Sequence, residues 1–143
     1  DGKDGFFNMP YFDVLSSGDL GVFPSWYEPW GYTPLESVAF HVPCVTTSLS
    51  GFGMWANSVK GGDSTIMDGV EVIRRTDYNY SEVADRIKET VSTFSNLTDK
   101  EVEEIRKKAK KLSDKALWKN FIKYYYEAYD IALKNRDIRV AQK

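Results

Sequence analysis

Glu28 and Glu36 stand with seven residues between them, Pro-Trp-Gly-Tyr-Thr-Pro-Leu. The first carboxylate lies in a stretch carrying Trp26, Tyr27 and Trp30, where neither a core nor a capping role is evident for it. A carboxylate so placed is suited to polar ligand atoms or to positive charge that develops during a reaction. Paired carboxylates also serve retaining glycosidases, but there they lie about 5 Å apart on either side of the scissile bond. Glu36 does not suit that role, because Thr33-Pro-Leu-Glu36 reads as a helix start: Thr33 as N-cap, Pro34 at the first helical position and Glu36 closing a capping box. A helix start offers open N–H groups and a positive dipole end, which suit a phosphate group. Trp26, Tyr27 and Trp30 could line a sugar platform or simply cover a sheet.

The elements that must position these residues follow from periodicity. Tyr11, Phe12, Val14 and Leu15 have helical spacing within Met9 to Ser17, closed by Gly18. Leu20 to Phe23 is expected to be a fully buried strand, ending at Pro24. Pro34 to His41 is expected to be a helix with Leu35, Val38 and Ala39 inward, Val42 to Thr46 a strand, and Gly53 to Val59 a helix. After the turn Gly61-Gly62-Asp63, Gly69 to Arg74 alternates as a last edge strand. Short strands alternating with helices imply parallel pairing, and ligands gather at the carboxyl ends of such sheets. That rule points to Pro24–Thr33 and Thr47–Gly53. Beyond Tyr78 the pattern changes to long helices. Val83, Ile87, Val91 and Phe94 recur on one face, and Thr98-Asp-Lys-Glu101 is a capping box ahead of Val102, Ile105, Ala109 and Leu112. Ser113-Asp114 marks a break. An aromatic helix then runs from Lys115 to Leu133, and 134–143 is too polar to require structure. The division expected is 1–78 for the sheet and 79–143 for a helical segment packing on it.

Composition narrows the classes. The 143 residues are 42% hydrophobic and 15% aromatic with a formal charge of −2, enough for one core and without the basic balance of a nucleic-acid binder. The single cysteine, Cys44, rules out an intrachain disulfide and reads as a small buried residue. No apolar run approaches the roughly 20 residues that span a bilayer. A cytoplasmic location without membrane or nucleic-acid partners is therefore the expectation. His41 reads as a helix-end charge, and one His with one Cys makes no zinc site.

The run EPWGYTPLE, followed by VPCVTTSLSGFG, resembles the donor-site segment of glycogen synthases of the animal and fungal type, retaining glycosyltransferases with two Rossmann-like domains in the GT-B arrangement. Two glutamates separated by seven residues are that family's hallmark, matched here by Glu28 and Glu36. The resemblance covers the chain from about Tyr11 to the last helix. It implies that the chain is the C-terminal part of a Rossmann-like donor domain within a longer protein. The activity it implies is transfer of glucose from UDP-glucose or ADP-glucose, with retention, to the nonreducing end of an α-1,4-glucan such as glycogen. It implies that Glu28 contacts the donor sugar and supports charge at its anomeric carbon, that Glu36 holds the ribose, and that Tyr11 stacks on the base. It also implies that Trp30, Gly31, Tyr32 and Thr33 border the sugar and diphosphate, glycine permitting close approach. No metal or other cofactor is implied, since helix dipoles and basic side chains neutralise the diphosphate in this class. An alternative is a non-catalytic nucleotide-sugar-binding or oligomerisation module, and homo-oligomers are left open.

Ser48, Ser50 and Gly51 form a small-residue turn after a strand, as loops near a donor site do and as turns do anyway. Arg106, Lys107, Lys108, Lys110 and Lys111 read as a solvated helix face. They also resemble the arginine-rich helix with which eukaryotic glycogen synthases sense glucose 6-phosphate. Most of those arginines are lysine or absent here, and lysine lacks the bidentate fork for phosphate, so strong sensing is not expected.

Overall fold

The computed structural model describes residues 2, 3 and 5–141. Its order is helix α1 (Tyr11–Ser17), strand β1 (Gly21–Val22), helix α2 (Tyr32–Ala39), strand β2 (Cys44–Thr47), helix α3 (Gly51–Lys60), strand β3 (Val70–Ile73) and helices α4 (Tyr80–Ser95), α5 (Asp99–Lys115) and α6 (Trp118–Ala141). The fold class is the expected α/β: a three-stranded parallel sheet in the order β1-β2-β3, with long C-terminal helices. Gly21 lies opposite Cys44, and Cys44 opposite Val70. The arrangement is compatible with part of a Rossmann-like sheet.

Both faces of β2 and β3 are covered, which is why their residues are continuously apolar or buried. On one face Val38, Cys44, Phe52, Ala56, Val70, Val72 and Ala109 form a cluster, with Phe23, Trp30, Leu35, Trp55 and Leu112 packed against it. On the other, Val45 and Ile73 meet Val83 of α4. A third cluster joins Ile66, Phe94 and Ile105. Phe52 is fully buried, and burying a side chain of that size contributes roughly 1.5–3 kcal/mol. The Thr98 box forms: Thr98 N–H donates to Glu101 Oε2 at 2.8 Å, and Glu101 N–H to Thr98 Oγ1 at 3.4 Å. Burial pushes the Cys44 thiol far up, as befits a core residue.

Several expectations are corrected. β1 is not fully buried, because it is an edge strand of only two residues and Val22 is exposed. α2 ends at Ala39, which is exposed, and His41 adopts a positive φ of 63°. β3 alternates as expected, yet its polar residue Glu71 is buried at 3% exposure rather than solvated. Its carboxylate accepts from Ile66 N–H at 2.7 Å and pairs with Arg86 at 2.7 Å. The pairing raises the Arg86 pKa, chiefly through the Glu71 hydrogen bond.

The chain divides into two compact units after Ser113. In the second, α6 runs through most of the expected unstructured tail, as far as Ala141; residues 142–143 lie outside the described residues. The helix break falls at residues 116–117 rather than at Ser113-Asp114. Within this unit Trp118 packs on Tyr125 at 4.8 Å, and Asn120 Nδ2 donates to Asp114 O at 3.0 Å. No helix among the described residues is long and apolar enough to cross a membrane.

Candidate functional site

The loop that leaves β1 is laid against the start of α3 by a run of hydrogen bonds. Thr47 Oγ1 donates to Ser25 O at 2.7 Å, Glu28 N–H to Leu49 O at 3.1 Å and Gly51 N–H to Glu28 O at 3.1 Å. Phe52 N–H then donates to Trp30 O at 2.6 Å and Ser50 Oγ to the same carbonyl at 2.9 Å. Glu28 is thereby held at its backbone from both sides, as an isolated parallel bridge to Ser50. This close approach explains Gly51, where a Cβ would stand 2.2 Å from Pro29 O. The Glu28 carboxylate accepts from Ser25 Oγ at 3.0 Å and is partly exposed.

The start of α2 differs from the expected box. Its N-cap is Gly31, at φ 115°, with no side-chain cap bond. The helix begins at Tyr32, so Thr33 is not the cap and Glu36 is too far along to close a box. The cause is the docking of Trp30 and Gly31 on α3. A Cβ at Gly31 would meet Ser50 Oγ at 2.9 Å and Phe52 Cβ at 3.2 Å, so the protein's own packing requires glycine there. Pro34 has no N–H, and among the described residues no acceptor is paired with the amides of Tyr32 and Thr33. Two donors at the positive end of α2 are therefore unpaired, on two exposed residues.

Glu36, released from capping, accepts from Tyr11 Oη at 2.9 Å. Partial burial and this carboxylate raise the pKa of the Tyr11 phenol. Phe12 stacks on Phe40 at 5.0 Å and 17°, so α1 is fixed to α2 at two points. Tyr32 and Tyr27 are exposed at 71% and 75%. Trp30 packs inward, 6.2 Å from Phe52 and 5.9 Å from Trp55. Trp26 lies over Arg75 at 4.7 Å.

The structure thus pairs Tyr11 with Glu36, on α1 and α2, and Glu28 with Ser25, in the loop between β1 and α2. A cavity of about 640 Å³ lies elsewhere, along β3 and α4, lined by Asn57, Ser64, Glu71, Asn79 and Arg86 among others. It includes none of the residues singled out from the Glu28–Glu36 segment. Sequence reasoning reached Ser25 and Thr47 only as members of the two loop ranges, without singling them out, and missed Arg75. Ser25 stands three residues before Glu28, a spacing that could have flagged it; Arg75 carried no local signal. On α5, Arg106 is committed to the protein itself, donating to Asp19 Oδ1 at 2.7 Å and Gly18 O at 3.3 Å, and Lys108 Nζ donates to Met67 O at 2.8 Å.

A family model described as glycogen synthase matches residues 2–138. The chain is 32% identical over 126 residues to glycogen [starch] synthase isoform 1 of Saccharomyces cerevisiae, covering 88% of this chain and 18% of that protein. Glycogen [starch] synthase of Neurospora crassa is 31% identical over the same shares. The liver glycogen [starch] synthase of Mus musculus is 32% identical over 125 residues, 87% of this chain and 18% of its own length. The chain spans about 18% of the length of these curated relatives. The chain belongs to the glycogen synthase family.

Proposed function

We propose that this segment forms the donor side of a glycosyltransferase that moves glucose from UDP-glucose, with retention, to the end of an α-1,4-glucan. The observation that carries the reading is the double anchoring of Glu28 between Leu49 O and Gly51 N–H, beside the uncapped start of α2. Those two bonds fix the Glu28 backbone and Ser25 Oγ donates to its carboxylate, and a carboxylate so held needs little reorganisation when positive charge grows at an anomeric carbon, which is the condition for electrostatic stabilisation of a transition state. The unpaired amides of Tyr32 and Thr33 and the α2 dipole suit a diphosphate. Glu36 suits a ribose diol, whose two hydroxyls would exchange with the Tyr11 hydroxyl now donating to it.

In this reading Tyr11 and Glu36 hold the nucleoside, the start of α2 holds the phosphates, and Glu28 faces the sugar. Trp30 serves by packing the loop on Phe52 and Trp55. The test is incorporation of labelled glucose from UDP-glucose into glycogen by the full-length protein that carries this segment, with the anomeric configuration of the product read by NMR. Incorporation with the α configuration supports the reading; no incorporation from either UDP-glucose or ADP-glucose overturns it.

A further inference from the structure

Arg75 follows β3 at the carboxyl end of the sheet and keeps 8% of its surface exposed. Its N–H donates to Ser48 Oγ at 3.0 Å, which fixes its backbone beside the turn after β2. Its guanidinium lies 4.7 Å from the ring centre of Trp26, in the Glu28 loop, and 5.8 Å from that of Tyr80, at the start of α4. The three segments that follow the three strands therefore converge on this one side chain.

Arg75 differs from other arginines of the chain in its partners. Arg86, Arg106 and Arg136, with side chains 48%, 27% and 62% exposed, each meet a carboxylate. Arg75, more deeply buried than any of them, meets none among the described residues, and its buried Nε has no partner. Aromatic rings attract a guanidinium but accept none of its in-plane N–H bonds in the way an oxygen does. A buried charge is ordinarily paired and hydrogen-bonded, because desolvation otherwise disfavours it.

We propose that Arg75 anchors an oxyanion site at the carboxyl ends of the sheet, taking a phosphate or carboxylate group through its unpartnered N–H edge while Trp26 and Tyr80 hold it in place. The oxyanion has two possible sources, a phosphate-bearing ligand and a carboxylate elsewhere in the longer protein. The proposal does not depend on glucosyl transfer, and its test uses inorganic pyrophosphate, so it fails or stands separately from the donor reading.

The experiment is calorimetric titration of pyrophosphate into the full-length protein and into the 143-residue chain, each as wild type, Arg75→Lys and Arg75→Gln, beside thermal melts of all six. If the source is a ligand phosphate, pyrophosphate binds the wild type and the Gln variant binds about tenfold more weakly or worse. The Lys variant then falls between them, since it keeps charge but loses the fork. If the source is an internal carboxylate, pyrophosphate binding is insensitive to Arg75, while Arg75→Gln lowers the melting temperature of the full-length protein more than that of the chain. Either pattern supports the site. Pyrophosphate binding that is insensitive to Arg75, together with melting temperatures that fall equally or not at all in the two proteins, overturns it, and the Lys variant keeps the comparison available should Gln fail to fold.

Discussion

The Tyr11 hydroxyl donates a 2.9 Å hydrogen bond to the Glu36 carboxylate across 25 positions of sequence. It joins α1 to α2, and it shows that Glu36 is not engaged in capping its own helix. Glu36→Gln should therefore leave stability within about 0.5 kcal/mol of the wild type, as for a surface change without a cap to lose. In the full-length protein the same change should weaken UDP binding clearly, since a ribose diol would lose a charge-assisted acceptor. Melting curves and calorimetric titration of UDP check both parts. A stability loss near 1 kcal/mol with unchanged UDP affinity would leave Glu36 as the partner of Tyr11 that joins α1 to α2 and nothing more.

Gly31→Ala should destabilise the chain by about 1–3 kcal/mol, because a non-glycine residue is strained at positive φ. Crowding against Ser50 and Phe52 acts in the same direction. Denaturant unfolding measures the loss. A variant as stable as the wild type would show that the loop does not dock as described.

Asp68 gives a pH-dependent contribution. Burial raises its carboxyl pKa, but hydrogen bonds from Lys60 and from Thr65 together outweigh this and hold it below the ordinary value near 3.8. A native pKa below the unfolded one contributes stability that is complete above that value and is lost as pH falls through the native pKa. Asp68→Asn should thus be less stable than the wild type near neutral pH, and the gap should close as pH falls below about 4. Melting temperatures from pH 2 to 7 test it. A gap that is constant with pH would remove the ion pair and leave only the turn that Asp68 closes with Thr65.

On α5, Arg106 spends its guanidinium on Asp19 and Gly18 O. Glucose 6-phosphate should accordingly activate the full-length protein little or not at all, while Arg106→Ala should lower stability by about 1 kcal/mol, the scale of a partly buried charge-assisted bond. Activity assays with and without the sugar phosphate, beside melts, check this. Strong activation abolished by Arg106→Ala would contradict it.

The order of elements was legible in the sequence because helical and strand periods alternate cleanly and both faces of the sheet are apolar. That a loop follows β1 at Pro24 was legible as well, but the inward packing of Trp30 on Phe52 and Trp55 was not, since an aromatic in a loop carries no sign of the core it joins. The start of α2 was not: Thr33-Pro-Leu-Glu36 is a sound local capping signal, and it lost to the tertiary docking of Trp30 and Gly31 on Phe52 and Ser50. Glu71 and Arg75 were hidden for another reason. Charged residues are almost always exposed, so a pattern alone assigns them to the surface. Only the covered second face of β3 and the rings of Trp26 and Tyr80 bury them. The tail beyond Leu133 was misread because polarity was taken for absence of structure, whereas α6 continues to Ala141.

The central claim is that Glu28, held by Leu49 O, Gly51 N–H and Ser25 Oγ, acts on the sugar in the transition state. The most direct measurement is steady-state turnover of the full-length Glu28→Ala variant with UDP-glucose, set beside its UDP affinity. An interaction made only in the transition state lowers kcat without altering ground-state nucleotide binding, so turnover should fall by about a hundredfold or more while the Kd for UDP stays unchanged. Turnover near that of the wild type would contradict the account and remove Glu28 from the reaction.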